Sequence, residues 1–326
     1  MTQNDAIRRI YATVHDEFQA VNACIMEQLH SDVALVEQIG HYIIDAGGKR
    51  LRPLLVLLSA GACGYKGDRQ IPLATIIEFL HTATLLHDDV VDESELRRGR
   101  ATANDRWGNA PSVLVGDFLY SRAFQMMVRI GVMDVMTTLA NATNVIAEGE
   151  VMQLMNIHEP DISEAQYMDV IRCKTAMLFE ASTHTAALLA DAPEEQIKAL
   201  QDYGNHLGLA FQLVDDLLDY TGDSETMGKN VGDDLAEGKP TLPLIQTIAS
   251  GTHEQTELVR KAIRNGGLEQ LDDVMNAVRA SGALDYTASR AREEAEKAVA
   301  AASTLPDSDY RQALIELAKL SVSRTA

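Results

Sequence analysis

The stretch Leu85-Leu86-His87-Asp88-Asp89-Val90-Val91-Asp92 places carboxylates at i, i+1 and i+4, and Gln212-Leu213-Val214-Asp215-Asp216-Leu217-Leu218-Asp219 repeats the pattern far downstream. On a helix, positions i and i+4 share a face, so Asp88 lies over Asp92 and Asp215 over Asp219. Like charges at that spacing repel, and a purely structural helix gains nothing from them. Oxygen-only donor sets suit hard cations, and magnesium in particular takes one or two carboxylates together with substrate phosphate oxygens. Two such clusters facing each other would clamp a diphosphate through several metal ions. The plain alternative is two solvated acidic faces. It fits poorly with a pattern that occurs twice, each time after an apolar run.

The segments that must position these clusters read as helices. Helical periodicity recurs along the chain, strand-like alternation is absent, and only 8 prolines punctuate 326 residues. Helices are predicted over 5–29, 33–46, 53–61, 73–92, 110–130, 134–156, 163–189 and 194–220. Gly47-Gly48 ends the second of these, and a helix from Pro53 to Gly61 is apolar nearly all round, which marks it as buried. Both acidic clusters fall at helix C-termini, where carboxylates oppose the helix dipole unless a cation neutralises them. Residues 93–104 read as a polar, Arg-rich loop, and 221–239 as a Gly- and charge-rich one. No disorder-like linker divides the chain, so residues 1–326 are expected to form one all-α domain.

Composition narrows the function classes. The chain carries 28 Lys and Arg against 48 Asp and Glu, a formal charge of −20, which argues against nucleic acid or an anionic membrane as partner. An anionic substrate would need metal ions and locally concentrated basic residues. The apolar fraction of 46% is ample for a core. The N-terminal 17 residues lack a signal-peptide pattern, and the longest apolar runs fall short of the roughly 20 residues that span a bilayer. Cys24, Cys63 and Cys173 are odd in number and lack metal-ligand spacing, so they are expected as buried thiols of a cytoplasmic protein.

Basic residues do gather where loops meet the predicted helices. Lys49, Arg50 and Arg52 follow Gly47-Gly48, where glycine lets backbone amides approach a phosphate. Arg97, Arg98 and Arg100 follow the first cluster, and the guanidinium fork matches phosphate oxygens. Lys229 and Lys239 flank a loop containing Asp233 and Asp234. Any one of these could be an ordinary surface charge; their concentration beside the acidic clusters points to a metal-bridged diphosphate.

Read in order, Gly47-Gly48-Lys49-Arg50-Leu51-Arg52-Pro53, Asp88 to Asp92 with Arg97-Arg98-Gly99, Lys174-Thr175, and Phe211 to Asp219 resemble the trans-isoprenyl diphosphate synthases. The resemblance covers almost the whole chain, and residues 81–104, 147–156 and 229–243 are most similar to its bacterial octaprenyl-forming members. It implies the isoprenoid synthase fold, a large helical bundle around a deep central cavity, and a homodimer. It also implies repeated condensation of isopentenyl diphosphate onto an allylic diphosphate, farnesyl diphosphate being the expected primer. The product would be about octaprenyl in length and serve as a quinone side chain.

The resemblance further implies two or three Mg2+ ions held by Asp88, Asp92 and Asp215, with Asp89, Asp216 and Asp219 in support. Arg97, Lys174, Thr175, Gln212, Lys229 and Lys239 would meet the allylic diphosphate. Lys49, Arg50, Arg52, His81 and Arg98 would serve isopentenyl diphosphate. His81 lies two helical turns before Asp88 on the same face. Alone it would read as a satisfied core histidine, the reading kept for His87.

Product length should also be legible. A helical turn rises about 5.4 Å, close to one isoprene unit. Ala83 and Thr84, one turn below Asp88, are small where Phe or Tyr would stop growth early. Phe124, Met126 and Met127 are candidates for a deeper floor, with Met136 and Met155 less central, although such methionines are commonly core filler. Two rival readings stand beside this one. A terpene cyclase would usually lack the second acidic cluster and the Lys49, Arg52, Arg98 set. A non-catalytic partner subunit would have lost cluster carboxylates, and both clusters are complete.

Overall fold

Helix supplies nearly all the regular structure in a computed structural model that describes residues 3–221, 232–266 and 268–323. Among the described residues the strands amount to one antiparallel pair, β1 (Leu96–Arg97) and β2 (Arg100–Ala101), within the Arg-rich loop. The chain divides into two compact units. The first comprises Met1–Thr143, Leu178–Gly204 and Ala300–Leu317; the second comprises Asn144–Met177, Asn205–Val299 and Ala318–Ala326.

In the first unit, α1 (Gln3–Ala12) and α2 (His15–Gln28) stand where one continuous helix is predicted. The interruption falls at Thr13-Val14. Two β-branched residues meet there, and Thr13 Oγ1 donates back to the Arg9 carbonyl at 3.1 Å, competing with the helical ladder. Then follow α3 (Ala34–Asp45) and α4 (Leu51–Ala62). Helix α4 begins two residues before Pro53, because a proline in the first turn gives up only an N–H that has no helical acceptor. Nine of its twelve residues are buried, as expected of an all-round apolar helix.

The axis of this unit is α5 (Gln70–Val91), which carries the first acidic cluster at its C-terminal end. It packs against α2, α4 and most extensively α7 (Asn109–Ile130), which follows the short α6 (Ala103–Trp107). Leu73, Ile76, Ile77, Phe79, Leu80 and Leu86 of α5 are at most 2% exposed. Burying such a side chain contributes about 1.5–3 kcal/mol each, which anchors the cluster's helix rigidly.

The second unit takes over within α8 (Met133–Asn156) and continues through α9 (Glu164–Ile171), opened by a Ser163/Gln166 capping box. Where one helix is predicted over 163–189, a π-helical segment, Arg172–Ala176, separates α9 from α10 (Met177–Leu189). Helix α11 (Glu194–Thr221) ends with the second acidic cluster. Inside the predicted 221–239 loop stands one helical turn, α12 (Asp233–Ala236). The remainder is α13 (Leu242–Ser250), α14 (His253–Asn265), α15 (Leu271–Ala280), α16 (Ala283–Ser303) and α17 (Asp309–Val322). Leu209, Leu213 and Val214 of α11 pack with Ile162, Ile171, Leu242 and Ile245 to hold that cluster's helix.

No helix among the described residues is long and apolar enough to cross a membrane. The cysteines are free thiols, but only Cys173 is buried; Cys24 and Cys63 are half-buried, short of the full burial expected.

Candidate active site

In the first unit the chain leaves α3 through Gly47 and Gly48, with φ of +80° and +139°. A Cβ on Gly48 would lie 2.6–2.9 Å from the Arg98 guanidinium, so glycine is what lets that cation lie against the backbone. Arg98 and Gly99 have φ of 53° and 72° and form the two-residue turn between β1 and β2. Two successive left-handed residues are what the common tight hairpin requires, and Arg-Gly supplies them. The turn sets Arg97 and Arg98 side by side. Arg97 donates from Nε and Nη2 to Asp89 Oδ1 at 2.9 and 2.7 Å. Asp89 is fully buried, and its Oδ2 has no hydrogen-bond partner.

Arg52, the second residue of α4, donates from Nη1 to His81 Nε2 at 3.1 Å, and its guanidinium stacks on the Phe179 ring at 4.4 Å. Burial pulls the Arg52 pKa down to about 10; Arg98 adds to that and Glu78 opposes it. Burial also raises the Glu78 carboxyl, against the pull of Arg50, Arg52 and Arg98. The same enclosure, with Arg52, Arg98 and Arg97 nearby, drives His81 well below 6.5, so the ring is neutral. A neutral ring that accepts at Nε2 carries its proton on Nδ1. Arg50 donates to Asn22 Oδ1, and Tyr11 OH donates to the Lys49 carbonyl, which pins the loop.

The histidine gives a stability prediction with a definite sign. As pH falls through 6.5 the unfolded chain takes up a proton that folded His81 refuses, so stability is full above 6.5 and is lost below it. His81→Gln should flatten this acid limb in a Tm-against-pH series between about pH 6.5 and 5. An unchanged limb would remove His81 as its source.

In the second unit, Lys174 lies in the π-helical segment and donates to Glu150 Oε2 and Gln153 Oε1, both at 2.6 Å. Gly149 permits the approach, since a Cβ there would meet the Lys174 backbone nitrogen at 2.7 Å. Thr175 Oγ1 donates to Gln212 Oε1 at 2.9 Å, and Gln212 Nε2 donates to Asp216 Oδ1 at 2.7 Å. Tyr167 donates its hydroxyl to the other oxygen of Asp216. Asp216 is 2% exposed, and burial followed by the Asp234 charge raises its carboxyl well above the usual range. Asp215 is exposed and Asp219 buried. Lys239 is buried and paired with Glu237, and Lys229 lies outside the described residues.

Thus the structure joins Arg52 to His81, Arg98 to the Gly48 backbone, Arg97 to Asp89, and Thr175 through Gln212 to Asp216. Among the length candidates, Ala83, Met126 and Met127 are buried and Thr84 is half-buried. Phe124 stacks on exposed Tyr120 at 4.9 Å, and Met155 is 76% exposed on the surface. Sequence reasoning missed Glu78, Glu150, Gln153, Tyr167 and Phe179. Only Glu78 left a signal, as the one charge in the otherwise apolar run Leu73–Leu80.

Among the described residues no three His, Cys, Asp or Glu side chains converge into a ready-made metal cage. The clusters nonetheless fit a hard divalent cation: their donors are carboxylate oxygens, and buried Asp89 Oδ2 is unsatisfied. A cation held by one or two carboxylates needs the rest of its shell from water or substrate oxygens.

Comparison with known proteins agrees. The polyprenyl synthetase family model matches residues 33–280. The octaprenyl diphosphate synthase of Escherichia coli K12 is 55% identical over 319 residues, spanning 98% of this chain and 99% of that one. The Haemophilus influenzae octaprenyl diphosphate synthase is 54% identical over 320 residues, 98% of this chain and 97% of its own. A Caulobacter crescentus polyprenyl synthase, crystallised with calcium and isoprenyl diphosphate, superposes with a TM-score of 0.94 at 46% identity, covering 98% of each chain. With this fold, these motifs and these relatives, the chain belongs to the polyprenyl synthetase family, enzymes that condense isopentenyl diphosphate onto allylic diphosphates.

Proposed function

We propose that this chain, acting as one synthase domain, extends farnesyl diphosphate by successive isopentenyl units to about octaprenyl length, for quinone side chains, as a cytoplasmic homodimer. The observation that carries the substrate side is the Arg52, Arg98 and Arg97 group around neutral His81, with Arg50 beside Arg98. Burial and then Arg98 lower the pKa of Arg52, burial and then Arg97 and Arg50 lower that of Arg98, and guanidinium groups so crowded favour an anion among them. Lys49, Arg50, Arg52, His81 and Arg98 would hold isopentenyl diphosphate there.

Asp88, Asp92 and Asp215 would hold two or three Mg2+ ions, with Asp89, Asp216 and Asp219 supporting them. Bound there, magnesium would neutralise charge that builds on the leaving diphosphate. Arg97 orients Asp89 through its two hydrogen bonds, and Tyr167 and Gln212 orient Asp216. Lys174, Thr175, Gln212, Lys229 and Lys239 would contact the allylic diphosphate. As its C–O bond breaks, the electron pair leaves with the diphosphate, and the isopentenyl double bond attacks the allylic cation. A proton then passes to the released diphosphate and an alkene is restored.

A dimer is supported by exposed apolar residues spaced along α7 and onto α8, namely Val113, Leu114, Tyr120, Val128 and Met133. Incubation with farnesyl diphosphate, labelled isopentenyl diphosphate and magnesium tests the reading. A dominant product near about forty carbons, one isoprene unit per helical turn of depth, is expected; absence of incorporation would overturn it. Thr84→Phe should cut the product to about fifteen to twenty carbons, because the ring closes the path one turn below Asp88. Met126→Ala or Met127→Ala should lengthen it, and unchanged products from both would remove these two as the floor.

A further inference from the structure

We propose that a cleft bounded by α3, β2 and α6 is a second anion site, built for the diphosphate group of a small molecule. The cleft encloses about 490 Å3 in the first unit, and its walls include His41, Tyr42, Asp45, Arg100, Arg106 and Trp107. Arg100 follows the first acidic cluster in the sequence but turns here into the cleft, and the other lining residues have no place in the condensation chemistry described above.

The two arginines are held in an unusual way for a chain of net charge −20. The Arg100 guanidinium lies 4.6 Å from the centre of the Tyr42 ring. That of Arg106 lies 5.0 Å from Tyr42 and 4.7 Å from Trp107. Among the described residues neither side chain has an ion pair or a hydrogen bond, although Asp45 lines the same cleft. The rings are themselves fixed. Tyr42 donates its hydroxyl to the Ala101 carbonyl at 2.7 Å and meets Trp107 edge-on at 4.9 Å.

Stacking on an aromatic face satisfies the guanidinium plane and leaves its edge donors free. Two such forks on one cleft match two phosphoryl groups, each accepting a pair of N–H bonds. Because packing already orders the cations, an arriving anion loses little in immobilising them. Asp45 opposes any anion and sets the affinity below what the arginines alone would give. The site also touches the reaction machinery through the backbone, since Arg100 pairs in register with Arg97. Inorganic diphosphate released by the reaction and the head of a prenyl diphosphate offer the same chemistry.

Trp107 is the only tryptophan in the chain, so its emission reports this cleft directly. The experiment titrates the full-length protein, in chelator and without magnesium, with inorganic diphosphate and separately with farnesyl diphosphate. A saturable change in Trp107 emission is expected. Arg106→Gln should weaken it about tenfold or more, the loss of one charge-assisted fork. Asp45→Asn should tighten it about threefold, and Arg52→Gln should leave it unchanged within about twofold. A response to both ligands assigns the cleft to prenyl diphosphates as well as the free anion; a response to inorganic diphosphate alone assigns it to the by-product. No response to inorganic diphosphate, a response that survives Arg106→Gln, or one lost in Arg52→Gln overturns the proposal. Binding here is read without turnover, so the result is independent of which product the enzyme makes.

Discussion

Asp88→Asn is expected to lower kcat by about 10^2- to 10^3-fold, the loss typical of removing one group that stabilises developing charge in a transition state. The substitution keeps shape and removes charge. Stability should move the other way or not at all. The carboxylate sits in the last turn of α5, where it opposes the helix dipole and repels Asp92 one turn on. Relief of those two terms is worth about 0.3–1 kcal/mol, so Tm should hold or rise slightly. A large activity loss with undiminished Tm is the signature of a residue retained for chemistry. The measurement is kcat under saturating substrates, repeated at raised magnesium, beside a thermal melt. A kcat within about threefold of the parent would show that Asp88 stabilises no charge in the reaction.

Arg52→Gln should reduce kcat/KM for isopentenyl diphosphate by about 100-fold, through the loss of a charge-assisted bond worth about 1.5–3 kcal/mol. The effect should fall on KM for that substrate, with farnesyl diphosphate affinity changed by less than about threefold. Arg52→Lys should recover little, because only the planar guanidinium can stack on Phe179 while donating to His81. Glu78 also loses a neighbour that offsets its burial, so some stability should be lost as well. Steady-state kinetics with each substrate varied in turn would decide it. Equal KM rises for both substrates would move Arg52 from substrate recognition to general support of the fold.

The acidic clusters and the Gly47-Gly48 break were legible because each is local, whereas the tight Arg98-Gly99 turn lay inside what read only as an Arg-rich loop. Carboxylates at i and i+4 share a face on any helix, and two successive positive-φ positions ask for glycine or a short turn. The helical character was legible for the same reason, since periodicity is a property of neighbours in the chain. What departed from expectation depended on contacts or on competition within a turn. Thr13-Val14 split the first helix through a side-chain bond to Arg9, which propensity does not weigh against the length of the apolar pattern. Lys174 sits in a π-helical segment that closes against Gly149, and nothing in Arg172–Ala176 alone announces it.

Charge and spacing within one turn of helix single out Asp88, Asp92 and Asp215 as candidates for chemistry in the sequence alone, and the family resemblance adds Arg52. Only the tertiary structure decides the electrostatic state of Arg52, His81 and Asp216. Glu78, Phe179 and Arg98 surround Arg52 and His81 from different segments, and Tyr167 reaches Asp216 from 49 residues away. Burial and partner charges set pKa, and both are sums over neighbours in space. The stacked arginines of the Tyr42–Trp107 cleft belong to the same class: three segments meet there, and no one of them shows the site.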